Sequence, residues 1–189
     1  YRRLTDLFPD AEFVDCGDVL ENMRMIKSPG EIEKLREACE ISARVYTRIL
    51  NGGAIRVGQT EIDIEHEFFK AAYDEGATEA CFAQILSGIR SSFHAGARSS
   101  SKRLEKGDLV VLDSGVEFEG YCSDLSRMAV LGPPTMRQKE LFNIEFDVYS
   151  RTLDMVRPGV TAADVYEFEF EQLRAAGIPD HAITNGHGL

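Results

Sequence analysis

Five residues recur in this chain at a single offset. Gly58, Thr60, Asp63, Phe69 and Gly76 match Gly159, Thr161, Asp164, Phe170 and Gly177, each 101 positions later (159 − 58 = 101). They are the residues that delimit helices: a turn glycine, a Thr cap with Asp three residues on, and a closing glycine. Punctuation repeated in this way is read as a duplicated helix-helix-strand unit, with the strands of the two halves meeting in a shared sheet. The plainer alternative is two unrelated helical hairpins with ordinary caps.

The text between these marks fills in the elements. Ser28, Pro29 and Glu31 form an S-x-x-E start, and Ile32, Leu35, Cys39, Tyr46, Ile49 and Leu50 follow helical spacing up to Gly52-Gly53. A second helix opens at Thr60 and carries Ile62, His66, Phe69 and Tyr73 to a stop at Gly76. Three short apolar runs then read as strands: 82–86, 109–112 and 128–131. Pro133-Pro134-Thr135 starts a third helix with Phe142, Phe146, Tyr149, Leu153 and Val156 on one face, and Thr161 starts a fourth that closes at Gly177. Residues 1–23 show no helical stripe of useful length and read as the end of a preceding domain or linker, with the principal domain over 24–189.

Composition narrows the class. A chain of 189 residues with 43% hydrophobic content can bury a core without disulfides or metal staples. A net charge of −11 repels nucleic acid and anionic membranes on average, so neither is expected as a partner. No apolar run reaches the ~18 residues of a spanning helix, and no secretory pattern follows the first residues, so a soluble, cytoplasmic protein is expected. Cys16, Cys39, Cys81 and Cys122 form no CxxC pair and are expected to be reduced and mostly buried.

The densest chemical text runs from Gly107 to Arg127. An acid ending an apolar strand, as Asp113 does, needs a compensating partner. With Phe118-Glu119 as a hairpin tip, Asp113 and Asp124 stand directly opposite each other on one face. Facing carboxylates are relieved by a retained proton or by a divalent cation. The alternative has Asp113 capping a turn and Asp124 pairing with Arg127. Of the histidines, His66 sits in a helical stripe and reads as structural, while His94 lies in a Gly/Ser-rich loop where a functional side chain is plausible. His181 carries no signal of its own. Gly186 and Gly188 flank His187, leaving its imidazole open to a ligand, although such glycines also mark plain turns.

Several ordered motifs bring a family into view: S-G-x-R-S with His94, K-x-L-x-x-G-D-x-V-x-x-D-S-G ending at Gly115, and G-Y-x-S-D-L-S-R from Gly120 to Arg127. They resemble those of the pita-bread metallopeptidases, namely Xaa-Pro dipeptidase (prolidase), aminopeptidase P and methionine aminopeptidase, with creatinase as a relative. The segment from Met25 to Ile32 resembles the opening of the catalytic domain in the Xaa-Pro branch.

The resemblance implies an α+β pita-bread fold, with duplicated helix-helix-strand halves around a mainly antiparallel sheet, incomplete at its C-terminus. It implies two divalent metal ions held by two Asp, one His and two Glu. The Asp positions fall on Asp113 and Asp124 and the His on His187, with His94 as the loop histidine that contacts substrate and aids catalysis. Mn²⁺ is the first expectation, with Co²⁺, Zn²⁺ or Fe²⁺ compatible with such donors. The expected substrate is a peptide cleaved at an N-terminal Xaa-Pro bond, and relatives of this kind are commonly homodimers. Both Glu ligands and a further His would follow Leu189, so a fragment of a longer enzyme is expected, inactive by itself. Ile183 stands where relatives frequently have His. The rival readings are a creatinase-like amidohydrolase acting on a small molecule and a non-catalytic pita-bread binding module.

Overall fold

The computed structural model describes residues 2–92 and 97–178, which form two compact units, residues 1–33 and 34–189. The first unit contains two short helices, α1 (Arg2–Leu7) and α2 (Gly17–Met25). Neither was expected from the pattern. Helix α2 buries no residue, so it leaves no apolar stripe to read, and it starts where Asp15 Oδ1 accepts a hydrogen bond from Gly17 N at 2.8 Å. Helix α3 (Pro29–Asn51) begins where expected: Glu31 Oε2 accepts from Ser28 N at 2.7 Å, and Ser28 Oγ accepts from Glu31 N at 3.4 Å.

The second unit is an α+β arrangement in the order α4 (Glu61–Asp74), β1 (Glu79–Ser87), a 3₁₀ turn (Gly88–Ser92), β2 (Leu109–Phe118), β3 (Tyr121–Cys122), β4 (Leu125–Val130), α5 (Met136–Met155) and α6 (Ala162–Ala175). The sheet is antiparallel, and β2 is its centre: it pairs with β1 on one side and with β3 and then β4 on the other. Because strand side chains alternate, β2 sends Val110, Leu112, Ser114 and Val116 to one face and Val111, Asp113, Gly115 and Glu117 to the other. Ile41, Val45, Tyr46 and Ile49 of α3 join Ile64, Phe68, Ala71 and Ala72 of α4 over the first of these faces, in one core with Val110, Leu112 and Val116. Each fully buried aliphatic side chain in such a core contributes about 1.5–3 kcal/mol.

The buried stripe of α4 lies one step from the one read in the sequence. Ile64, Phe68, Ala71 and Ala72 face inward with Glu61, whereas His66 and Tyr73 are exposed. Phe68 packs inward with the small alanines, while Phe69 is half-buried and Tyr73 lies exposed at the edge. The expectation of buried cysteines also fails: Cys16, Cys81 and Cys122 are exposed and Cys39 is half-buried, all four being free thiols.

The repeated punctuation has a structural counterpart. Thr60 and Thr161 both form complete capping boxes, with Asp63 N donating to Thr60 Oγ1 and Asp164 N to Thr161 Oγ1 at 3.1 Å in each. Gly58 and Gly159 share the left-handed backbone, at φ +90° and +93°, a conformation that only glycine adopts cheaply. The third expected helix is α5, but its aromatic face is exposed: Phe142 and Phe146 stack 6.0 Å apart with more than half of their surface in water.

Candidate metal centre

Asp113 sits in the middle of β2, half-buried, between Gln84 of β1 and Ser126 of β4. Asp124 lies half-buried in the short break between β3 and β4. The register corrects the sequence reading. The hairpin turns at Glu119-Gly120, both with positive φ (+48° and +87°), so Phe118 pairs with Tyr121 and Asp113 with Ser126 rather than with Asp124. Positive φ at both central residues matches the twist of the flanking strands, which is why this turn is preferred over one centred a residue earlier.

The difference amounts to two residues along the partner strand. A slip of two preserves the face, whereas a slip of one would have reversed it. By ladder count Asp124 therefore stands opposite Gly115, on the same face as Asp113 and diagonal to it. In a regular ladder such diagonal neighbours are about 7–8 Å apart.

Three features position the pair. Gly115 has no room for a side chain: a Cβ there would lie 2.2 Å from the Ser123 carbonyl oxygen and 2.8 Å from a Phe82 ring carbon. The absent side chain lets the β3–β4 connection bend inward over β2. Ser123, buried at this bend, accepts from Val116 N through its Oγ at 3.1 Å and lies 2.6 Å from Ser42 Oγ of α3. Its hydroxyl thus takes over a ladder bond that a regular strand would make with a carbonyl.

Tyr46 is the third feature, and nothing in the sequence pattern distinguished it from an ordinary core aromatic. Its hydroxyl lies 3.0 Å from the Leu112 carbonyl oxygen, 2.7 Å from that of Leu125 and 2.7 Å from Ser114 Oγ. Leu112 precedes Asp113 and Leu125 follows Asp124, so one buried phenol ties together the backbone beside both acids. Burial pushes the Tyr46 pKa well above the ordinary tyrosine value, and the negative charges of Asp113 and Asp124 add to the effect against the opposing Ser114 hydrogen bond and the Arg127 charge. The phenol therefore stays protonated as a donor. Only the apolar stripe of α3 could have hinted at it, through a hydroxyl that must find a partner inside a core.

The donor set fits a hard divalent cation as far as it goes: two half-buried carboxylates presented on one face. Among the described residues no group of three His, Cys, Asp or Glu is gathered for a metal. His94 and His187 lie outside the described residues, as does His181. Cys81 and Cys122 bring their sulfurs to 3.4 Å, and burial, with the neighbouring Cys122 thiol, pushes Cys81 up to about 12. Arg127, the alternative partner for Asp124, holds its guanidinium 5.9 Å from the Tyr46 ring centroid and donates to the Ser126 carbonyl oxygen.

Comparison with known proteins gives the family and the fold. Residues 33–189 match the family described as Metallopeptidase family M24. The Xaa-Pro dipeptidase of Pyrococcus furiosus is 33% identical over 180 residues, covering 94% of this chain and 51% of that protein. The crystal structure of the X-Pro aminopeptidase from Thermotoga maritima superposes with a TM-score of 0.82 at 34% identity, over 93% of this chain and 49% of the other. The prolidase structure from Pyrococcus furiosus gives 0.87 at 30% identity, over 94% and 53%. The architecture is that of the pita-bread peptidases, and the chain spans about half the length of the curated relatives it matches.

Proposed function

Because this chain belongs to metallopeptidase family M24, we propose that the whole protein is a dinuclear-metal peptidase that hydrolyses an N-terminal Xaa-Pro bond, as a dipeptidase or aminopeptidase. The observation that carries the reading is the placement of Asp113 and Asp124 on one face of a hairpin whose backbone is pinned beside both acids by Tyr46. In this reading Asp113, Asp124 and His187 are metal ligands within a domain spanning 24–189. The reading adds two Glu to this ligand set.

When bound, two divalent ions supply an activated water and a Lewis acid at the scissile carbonyl. The chain's own residues do the rest. Asp113 and Asp124 hold two hard oxygen donors at a set separation, and β2, central in its sheet, keeps the first of them from moving. His94 contacts the substrate and donates to the developing oxyanion or the leaving nitrogen. Mn²⁺ is the ion proposed, with Co²⁺, Zn²⁺ or Fe²⁺ also suited to a carboxylate and imidazole set. The peptide is the only partner invoked besides a second copy of the protein in a homodimer, and the cytoplasm is its proposed location. No described helix is long and apolar enough to cross a membrane.

The test is Asp113→Asn in the full-length protein. Mn²⁺-dependent release of proline from a Xaa-Pro dipeptide should fall by about 10²–10³-fold, the scale of losing one preorganised electrostatic group. Turnover equal to that of the unmodified enzyme would rule out the metal role.

A further inference from the structure

Glu61 is fully withdrawn from solvent in the first turn of α4. A buried carboxylate is costly unless hydrogen bonds and opposite charge compensate it, and here the compensation is complete. Oε1 accepts from Ser87 N at 2.7 Å and Ser87 Oγ at 2.9 Å; Oε2 accepts from Ser100 N at 3.0 Å and Ser100 Oγ at 2.8 Å. Arg90 Nε spans both oxygens at 3.3 and 3.0 Å, and its other arm donates to the Arg98 carbonyl oxygen at 2.6 Å.

All these donors come from the two ends of one segment. Ser87 and Arg90 precede His94 in the sequence, and Ser100 follows it. The outgoing end is also held along β1, where Gln84 Nε2 donates to the Ala97 carbonyl oxygen and Ser99 Oγ accepts from Ile85 N at 3.0 Å. Gln84 is the direct ladder neighbour of Asp113. The ends are thereby referenced to the strand beside the candidate metal ligand.

The internal repeat removes the bland explanation. Offset by 101, Glu61 corresponds to Ala162, although the flanking caps, Thr60 with Asp63 and Thr161 with Asp164, are the same in both halves. A helix start of this design therefore does not require a carboxylate at that position. We infer that Glu61 is a positioning residue: it joins the stretch 87–90 to the stretch 98–100 and holds both beside β1, the strand paired with Asp113. The inference rests on the peptidase reading above for its catalytic consequence, since His94 lies between these two stretches in the sequence.

The experiment uses Glu61→Gln in the full-length protein. The amide keeps the volume but turns one acceptor into a donor facing the Ser87 or Ser100 donors. Proline release from a Xaa-Pro dipeptide should lose at least about tenfold in kcat/KM, as expected when a contact group is misplaced by less than an ångström, with Mn²⁺ content unchanged. Amide hydrogen exchange should accelerate over residues 88–100 and stay unchanged over β2. Ser100→Ala, which leaves the carboxylate and every backbone donor in place, should show the same pattern to a smaller degree and serves if the first variant does not fold. A lowered melting temperature with wild-type kcat/KM and wild-type exchange over 88–100 would overturn the inference, as would loss of Mn²⁺. If the unmodified protein releases no proline, it is the peptidase reading that has failed, and the exchange comparison alone then decides whether Glu61 holds the segment.

Discussion

Tyr46 and Gly115 do opposite things to the same bend, one by adding a hydroxyl and the other by omitting a side chain. In Tyr46→Phe the Leu112 and Leu125 carbonyls lose a shared donor and Ser114 loses a partner inside a closed core, so a destabilisation of about 1–3 kcal/mol is expected. Urea titration should show a lower midpoint at unchanged m-value. Gly115→Ala would drive a methyl into the Ser123 carbonyl, and the cost of overpacking is about 1–3 kcal/mol. Since the displaced backbone leads directly to Asp124, Mn²⁺ binding by the full-length protein should weaken as well, as titration calorimetry would register. Of these residues only the acids were legible beforehand. A tyrosine that bridges two strands acquires its role from neighbours 66 to 79 positions away, and no local pattern records that.

Among the elements, the two capped helices α4 and α6 are the clearest case of sequence dictating structure. Their caps close with the same bonds, Thr60 N and Thr161 N each donating to the paired aspartate at 2.8 Å. Thr60→Ala and Thr161→Ala should therefore each cost about 1 kcal/mol, seen as lowered melting temperatures by far-UV circular dichroism. Unequal costs beyond twofold would mean that tertiary packing, rather than the cap, sets the strength of one of them. The hairpin is the opposite case. Its existence and the shared face of Asp113 and Asp124 were readable, but its register was not, because Phe118-Glu119 and Glu119-Gly120 are both acceptable tips until left-handed backbone is required at both turn positions. The stripe of α4 differs from the expected one because Ala71 and Ala72 join Ile64 and Phe68 on the buried face, and alanine carries little apolar signal in a sequence pattern.

For the molecule as a whole, three described carboxylates held low tie stability to pH, against one, Glu169, that burial and the Glu145 charge push up. Asp63 and Asp164 are held below the ordinary carboxylate range, Asp63 chiefly by the Thr60 backbone N–H and Asp164 chiefly by the Thr161 hydroxyl. At Asp108 burial pushes upward, but the Lys102 ammonium 2.6 Å away and the Glu105 N–H outweigh it, and the net displacement is downward. A carboxylate depressed in the fold binds fewer protons there than in the unfolded chain. Its stabilisation is present above the unfolded value, about 3.9, and disappears as pH falls through the folded one. Melting temperature should thus be level near neutrality and fall below about pH 4, and Asp63→Asn with Asp164→Asn should make that fall shallower. The local grammar of caps, turn glycines and strand alternation determined the helices from α3 to α6, the repeated caps and the face that gathers the acids, because each depends on residues a few positions apart. Only the packed fold decided which hydroxyl pins them, where the backbone bends beneath Asp124 and what Glu61 holds, because those bonds join segments whose distance in space no local pattern sets.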